Sequence, residues 1–543
     1  MTHAPSANES SEMKPSGQDA GTPVSPVAAV APRDTADETA IATDALVASS
    51  PYRSAGSTGS SRAMTVSPEP TQEKDKDLSK RWAHDLVMSQ QRLPFVMIRS
   101  ARNRFALPLK SKGMRLEISR HAFVTGQGIT ARDIDDVVNQ MEALAEIAAP
   151  TVPVWYRVAP IEGGVEIDVG DQEHTRIRVT AGKVEVVTSG SETLFYRSHL
   201  SEPMVLPAER GDYRRLKQYL NVSDVDFLLL IGWISYTLAL PKGPTTAYVI
   251  ALLQGGQGTG KSWISNVLLR LLDPSAVGVQ LFPSSANDLS IAGQHAHVLA
   301  YDNMRSFRQL MADVLCIAST GGAISSRSLY TDDRQHVLRL QVALILNGIH
   351  DFINQPDLAQ RCLPIRTLNI DESARKSYAE MLAAFEDDLP VIFRGILDLI
   401  AAVLQHLPSA VVTHPERMIA FSKWLAAIEL ATGVPPGVYQ AAYSASMREA
   451  QLDSLMQNLL ASAVVRFAEG IKDGTWSGTP SDLLDELSGP IPLDQLRSRE
   501  WPGNPIALSK RLNALAASLA TQGIDIQFSR GKERLITLTV SKA

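Results

Sequence analysis

The chain has 543 residues, 44% of them hydrophobic and 20% charged, with a net charge of −6. At roughly 100–200 residues per domain, this length allows about three folded units beside tails. The acidic balance excludes a uniformly basic nucleic-acid coat but leaves room for a local basic groove. Cys316 and Cys362 are the only cysteines, which excludes a disulfide framework and a four-thiolate zinc site. They read as packing residues, and a reducing bacterial cytoplasm is the expected compartment.

Residues 1–80 read as a disordered tail. Ala, Ser, Thr, Pro and Asp dominate, and Tyr52 is the only aromatic residue before Trp82. Such a stretch buries too little apolar surface to offset the entropy of ordering it. It shows no basic-then-apolar leader pattern.

Residues 81–225 are expected to form a mixed α+β region. Ile134, Val137, Val138, Met141, Leu144 and Ile147 recur at helical spacing, which predicts a helix over 134–149 with these on one face. Strands are expected at 154–158, 165–169, 176–179 and 184–187, with turn residues between them. Asp168 and Asp171 lie close together; they fit either a metal pair or a solvated hairpin turn.

Residues 226–375 alternate helix and strand in the α/β manner. The longest apolar run, 227–240, spans 14 residues and stops at Pro241. A membrane crossing needs about 20 residues, so the run reads as a buried core helix and no membrane partner is expected. An apolar strand, 247–253, then leads into Gly255, Gly256, Gln257, Gly258, Thr259, Gly260, Lys261 and Ser262. This is G-x-x-x-x-G-K-[ST] between a strand and a helix over 262–272, the setting the motif requires. Glycines let backbone amides wrap a phosphate, and the helix N-terminus adds favourable partial charge. Lys261 is placed for the β- and γ-phosphates and Ser262 for Mg²⁺, so ATP and Mg²⁺ are the expected cofactors.

Such a site needs a carboxylate on a neighbouring strand. The run 297–302 supplies Asp302 at the C-terminal end of an apolar strand, where ligands bind in open α/β sheets. Asn303 follows it and is a candidate for positioning water, since no second acidic residue adjoins Asp302. A further strand, 340–346, ends in Asn347, which is suited to orienting an attacking water. Arg361 lies downstream, either as a guanidinium for developing phosphate charge or as a surface ion pair.

Residues 376–470 read as a helical subdomain, with 3.6-period stripes over 378–407 and 417–432. In 471–543, helices are expected at 481–487, 492–497 and 505–521, then a hairpin of 524–528 and 535–540. Ser477 or Thr479 is suited to capping the first helix. Three helices and a basic-tipped hairpin read as a winged helix, with Lys510 and Arg511 on a recognition helix and Arg530, Lys532 and Arg534 on the wing. A protein-docking role for the same unit stays open.

The order of phosphate loop, Asp strand, Gly-containing basic hairpin, Asn strand and Arg resembles superfamily 3 helicases, a branch of the AAA+ ATPases. Residues 319–333 are similar to their "TGG-x-I-x-x-R-x-LY" stretch, and 346–349 and 356–361 are similar to versions from bacterial mobile elements. The opening of the last unit resembles C-terminal domains of phage-type replication proteins. The likeness is good over about 205–465 and poor before it. It implies an α/β P-loop AAA+ ATPase core with a mixed α+β N-terminal region, a helical subdomain and a C-terminal winged helix. It further implies a homo-hexameric ring with ATP between subunits, Arg361 acting across the boundary, and a channel hairpin. Arg327, Tyr330, Arg334, His336 and Arg339 would meet single-stranded DNA there, with duplex at the winged helix and a separate primase as a further partner. The expected function is an ATP-dependent DNA helicase or translocase in replication of a mobile element. The alternative is an ATP-binding regulatory or recruitment protein that binds DNA without unwinding it.

Overall fold

The computed structural model describes residues 78–543 apart from 101, 305–308, 328–334, 349–352, 354, 372, 374–375, 472, 499, 530–533 and 542–543. The tail predicted over 1–80 therefore lies outside the described residues, except that Leu78–Arg81 forms a single 3₁₀ turn.

Four apolar runs and a two-residue edge build one parallel sheet, in the spatial order Gln280–Leu281, Val298–Met304, Ala343–Gly348, Ile250–Gln254, Cys362–Arg366. Parallel strands are covered on both faces and so read as near-continuous apolar sequence. Here the alternation splits them cleanly. Ala251, Leu253, Val298, Ala300, Ala343 and Ile345 enter one core; Ile250, Leu252, Leu299, Tyr301, Leu344 and Leu346 enter the other. The first face is covered by helices Asp224–Leu238, Lys261–Leu272, Tyr378–His406 and Ile419–Thr432, and the second by Ala286–Gln294 and Gln309–Thr320. Cys316 and Cys362 are buried in the second core, and burial pushes the Cys316 thiol up to about 12.

One predicted strand divides. The predicted strand 340–346 is in fact the end of one strand, Gln335–Leu340, and most of another, Ala343–Gly348. The first of these pairs antiparallel with Gly322–Arg327 as the expected hairpin. The helix Tyr378–His406 is long and apolar enough by composition to cross a membrane. Its Phe385, Leu389, Ile392, Phe393, Ile396 and Ile400 are instead packed in the main core.

The N-terminal region is two assemblies. Residues 86–108 contribute three strands of a mixed sheet, completed by Phe195–Tyr196 and Trp155–Tyr156. Helices Lys112–Val124 and Ala131–Ala148 pack beside it, the second opened by a Thr130–Asp133 capping box. Of the predicted stripe on that helix, Val137, Val138 and Met141 are buried, whereas Leu144 and Ile147 are exposed. The second assembly is an antiparallel meander of Val158–Ile161, Gly164–Asp168, Arg176–Thr180 and Lys183–Val187. Its Val158, Ile167, Ile177 and Val179 share the main core with the parallel sheet. The predicted strand 154–158 is broken at Arg157, whose φ of +59° sends the flanking pieces into different sheets.

Asp171 lies half-buried in the hairpin turn, as one reading expects, whereas Asp168 does not. Asp168 is 2% exposed and is ion-paired with Arg176 and Arg197. Asp171 accepts from the Thr175 amide at 2.8 Å. No group of three or more potential metal-ligating side chains gathers among the described residues.

At the C-terminus, strand Thr475–Gly478 adds to the expected hairpin, in the order Thr475–Gly478, Ile536–Val540, Ile524–Phe528. Thr479 caps helix Pro480–Ser488 through a capping box with Asp482. Helices Leu493–Leu496 and Pro505–Ala520 follow. Helix Leu459–Glu469 also belongs to this core: Leu460, Ala461, Val464 and Ala468 pack with Leu483, Leu508, Leu512 and Leu538.

Candidate nucleotide site

The loop Gly255–Gly260 sits at the C-terminal end of Ile250–Gln254 and opens the helix Lys261–Leu272. Gly255, Gly258 and Gly260 have φ of +150°, +77° and +87°, the last at the helix N-cap. Glycine adopts such backbone without a Cβ penalty. Gly255 is held hardest, because a Cβ there would lie 2.1 Å from Thr367 Oγ1. Thr367 bonds Thr259 Oγ1 at 2.7 Å and donates to Gln254 O at 3.0 Å. Asn221 donates to Thr259 O at 3.2 Å. These two flanking residues shape the loop, and nothing in their sequence context marks them.

Lys261 is buried and folds over the loop, donating to Gly255 O at 2.8 Å and Gly256 O at 2.6 Å. Burial lowers its pKa, and the Asp302 charge opposes that shift. Ser262 donates to Asp302 Oδ2 at 2.5 Å. The Asp302 strand is not the neighbour of the loop strand, as the sequence reading expects: Ala343–Gly348 lies between them. The hydroxyl and carboxylate still meet because the loop helix crosses over that intervening strand, packing on both.

Asn347 is inside that middle strand, 1% exposed, not a turn residue at its end. Its amide nitrogen donates to Ser265 Oγ at 3.0 Å, and its carbonyl oxygen accepts from Asn303 N at 3.4 Å. Asn347 thus ties the loop helix to the irregular stretch of strand at Asp302 and Asn303. Asn303 has a φ of +56°, and its amide also donates to Asp302 Oδ1 at 2.5 Å. Left-handed backbone in a non-glycine residue is uncommon, Asn being among the tolerant types.

The residues fit a nucleoside triphosphate with Mg²⁺. A glycine cradle that a Cβ would fill, a helix N-terminus and a lysine suit the phosphates. A hydroxyl and a carboxylate within hydrogen-bond distance form an oxygen donor set suited to Mg²⁺.

Other candidate residues fall elsewhere. Arg361 precedes Cys362, which pairs with Ile250, so it stands at the opposite end of the strands from the loop. Arg361 is five residues from Arg366, the position level with Gln254, or about 17 Å of strand at about 3.3 Å per residue. Its guanidinium is mostly buried, paired with Asp357 at 3.4 Å. Arg366, level with Gln254, lies at the loop end but is engaged by Glu449 and Asp453. On the hairpin, Arg339 is exposed opposite Ala323. Arg327 and His336 are placed as strand positions only, and Tyr330 and Arg334 lie outside the described residues. In the last unit Lys510 and Arg534 are exposed. Arg511 is half-buried and donates to Glu500 O, so it faces its own domain; Arg530 and Lys532 lie outside the described residues.

Comparison with known proteins gives two family matches. Residues 215–453 match the actinomycete integrative conjugative element replication protein family. Residues 460–543 match the AICE RepA C-terminal domain. The chain is thus similar to replication proteins of integrative conjugative elements over its sheet, its helical region and its last unit. No curated protein sequence matches it. Among solved structures, the apo A form of the NrS-1 C-terminal region is 12% identical, over 86% of this chain and 99% of that one, with a TM-score of 0.36. A JCV helicase solved with a thiazolopyridine acetamide bound is 12% identical, over 42% of this chain and 67% of that one, with a TM-score of 0.19. Both superpositions are loose.

Proposed function

We propose that this chain is an ATP-dependent DNA motor, a helicase or translocase, working in replication of an integrative conjugative element. The observation that carries this reading is the meeting of Ser262 and Asp302 beside a glycine loop capped by Lys261. When bound, ATP with Mg²⁺ supplies the phosphoanhydride whose cleavage drives movement. Lys261 would give up its two loop carbonyls for phosphate oxygens, and the poorly hydrated setting would strengthen the attraction between them. Ser262 and Asp302 present their oxygens to the cation. Asn347, fixed between Ser265 and Asn303, holds the distance between the helix and the Asp302 segment.

Arg361 does not reach phosphates on its own loop. It serves a neighbouring subunit's site in a ring once its pair with Asp357 opens, and a homo-hexamer is the assembly that makes use of it. Arg339 offers an exposed cation for single-stranded DNA, and Lys510 and Arg534 for duplex at a winged helix. The test is the rate of ATP turnover with and without single-stranded DNA, on protein whose mass is measured with ATP present, together with strand displacement. DNA-stimulated turnover by a ring that separates strands supports the motor; ATP binding without turnover sinks it.

One observation favours the second reading, a nucleotide-dependent binding or recruitment protein. Both carboxylate oxygens of Asp302 are engaged, by Ser262 and by the Asn303 amide. The residues flanking it are Tyr301 and Asn303, so no adjacent carboxylate is placed to take a proton from water. DNA binding that responds to ATP with no turnover is the outcome that selects this reading.

A further inference from the structure

Asp273 joins the two elements that carry the cation-facing residues. It lies immediately beyond the loop helix, where its amide donates to Leu269 O at 2.9 Å and Pro274 blocks continuation. Its Oδ2 accepts from the amides of His297 and Val298 at 2.5 and 3.1 Å, at the start of the strand that carries Asp302. One carboxylate thus sets the far end of the Ser262 helix against the near end of the Asp302 strand. It is 2% exposed, and a buried carboxylate needs a partner.

That partner is Arg157, from the N-terminal region. Its Nε donates to Asp273 Oδ1 at 2.8 Å, and both side chains are 2% exposed. The remaining nitrogens donate to the carbonyls of Asp168, Val169 and Glu202 at 3.1, 3.3 and 3.2 Å. A planar fork with five donors can satisfy such a set; an ammonium cannot. The residue holds this position with left-handed backbone, φ +59°, a conformation costly for a long side chain and kept only where surroundings enforce it. Gly170 is bare beside it: a Cβ there would stand 2.9 Å from Arg157 Nη1. Around it, Ser201 bridges Ser275, and Glu202 N donates to Pro274 O at 3.0 Å. Lys242 donates to Gly293 O and Ala296 O, both at 2.6 Å, with its ammonium over the Tyr156 ring.

We infer that Arg157 is a positioning residue of the nucleotide site: through Asp273 it sets the Asp302 strand against the Ser262 helix. The meander of 158–187 and the phosphate site therefore respond together. This rests on the nucleotide reading given above, and the mechanical link itself is testable without nucleotide.

The experiment uses the full chain and compares Arg157→Gln, Arg157→Lys and the double variant Arg157→Gln/Asp273→Asn with wild type. The first readout is backbone hydrogen exchange without ligand. The expected result for Arg157→Gln is exchange faster by about tenfold over 298–304, with 343–348 unchanged, and a smaller local effect for Arg157→Lys, which is the informative variant if Arg157→Gln does not fold. The double variant, which leaves an uncharged acceptor for both amides, returns toward wild type. The second readout is the Mg²⁺ concentration for half-maximal ATP binding, expected to rise about tenfold, the scale at which residues supporting metal ligands act, with Mg²⁺-free affinity unchanged. Exchange over 298–304 equal to wild type, or acceleration spread evenly across all the sheet strands, overturns the inference. Wild-type protein that binds no ATP overturns the nucleotide reading instead, and the exchange result still judges the link.

Discussion

Ser262, in the first turn of the loop helix, donates its hydroxyl to Asp302 Oδ2 at 2.5 Å, although a whole strand separates the Asp302 strand from the one that feeds the loop. On the proposed reading the pair would share one Mg²⁺, since a hydroxyl and a carboxylate are both hard oxygen donors. Asp302→Asn keeps the shape but removes the charge. The expected outcome is a loss of Mg²⁺-dependent turnover of roughly 100-fold, the scale of several kcal/mol that a metal contributes. Titration calorimetry with ATP in EDTA is expected to show residual binding close to wild type.

Lys261→Ala removes the ammonium that now bridges Gly255 O and Gly256 O. Those carbonyls are at the surface of the loop and can be solvated, so thermal stability is expected to hold. Turnover is expected to fall by at least about 100-fold, the usual cost of removing one preorganised electrostatic contact. A variant that hydrolyses ATP at the wild-type rate would show that the loop is not the site.

Gly255→Ala tests the cradle. The added Cβ would lie 2.1 Å from Thr367 Oγ1, in backbone with φ of +150°. Strain of this kind costs on the order of 1–3 kcal/mol, and relief requires moving Thr367, which also holds Thr259. A lowered melting temperature together with lost nucleotide binding is expected. Gly128→Ala, where a Cβ would meet nothing within 4 Å, is the control and is expected to leave both unchanged.

Asp168 gives the stability of this chain an acid-sensitive component. Burial alone would raise its pKa, but the Arg197 hydrogen bonds and the charges of Arg197, Arg176 and Arg157 outweigh it and hold the carboxyl at about 2. A depressed folded-state pKa contributes stability that is present above the unfolded value near 4 and is lost as pH falls toward 2. The contribution is roughly 2 kcal/mol. Asp168→Asn is expected to lower the melting temperature at neutral pH and to flatten its decline between pH 4 and 2, measured by calorimetry. An unchanged slope in that window would assign the acid sensitivity to other carboxylates.

Lys510 and Arg534 are exposed cations of the last unit, while Arg511 is turned toward Glu500 O. Charge reversal at Lys510 or Arg534 is expected to weaken duplex DNA binding at every sequence tested and to reduce the salt slope by about 1 each. Arg511→Ala is expected to change that slope less. Fluorescence anisotropy over a salt series separates the two, and equal effects at all three positions would contradict the orientation of Arg511.

What the sequence by itself determined is local. The glycine pattern around 255–260, the lysine and hydroxyl after it, and the apolar strands that end near Asp302 and Asn347 were legible because backbone conformation and burial leave marks within a few residues. The capping boxes at Thr130 and Thr479 are of the same kind; the sequence reading has a cap at Ser477 or Thr479 and none at Thr130. Tertiary structure alone decided which strands lie side by side, since parallel strands pair through crossovers that periodicity does not encode. For that reason the Asp302 strand is expected next to the loop strand although another strand separates the two, and only the register shows that Arg361 stands at the far end from its own loop, paired with Asp357. Arg157 shows the limit best. A run reading as one strand concealed a left-handed arginine whose partner Asp273 lies 116 residues away, and a buried ion pair of such separation is specified by the packing of two regions, not by the neighbours of either residue.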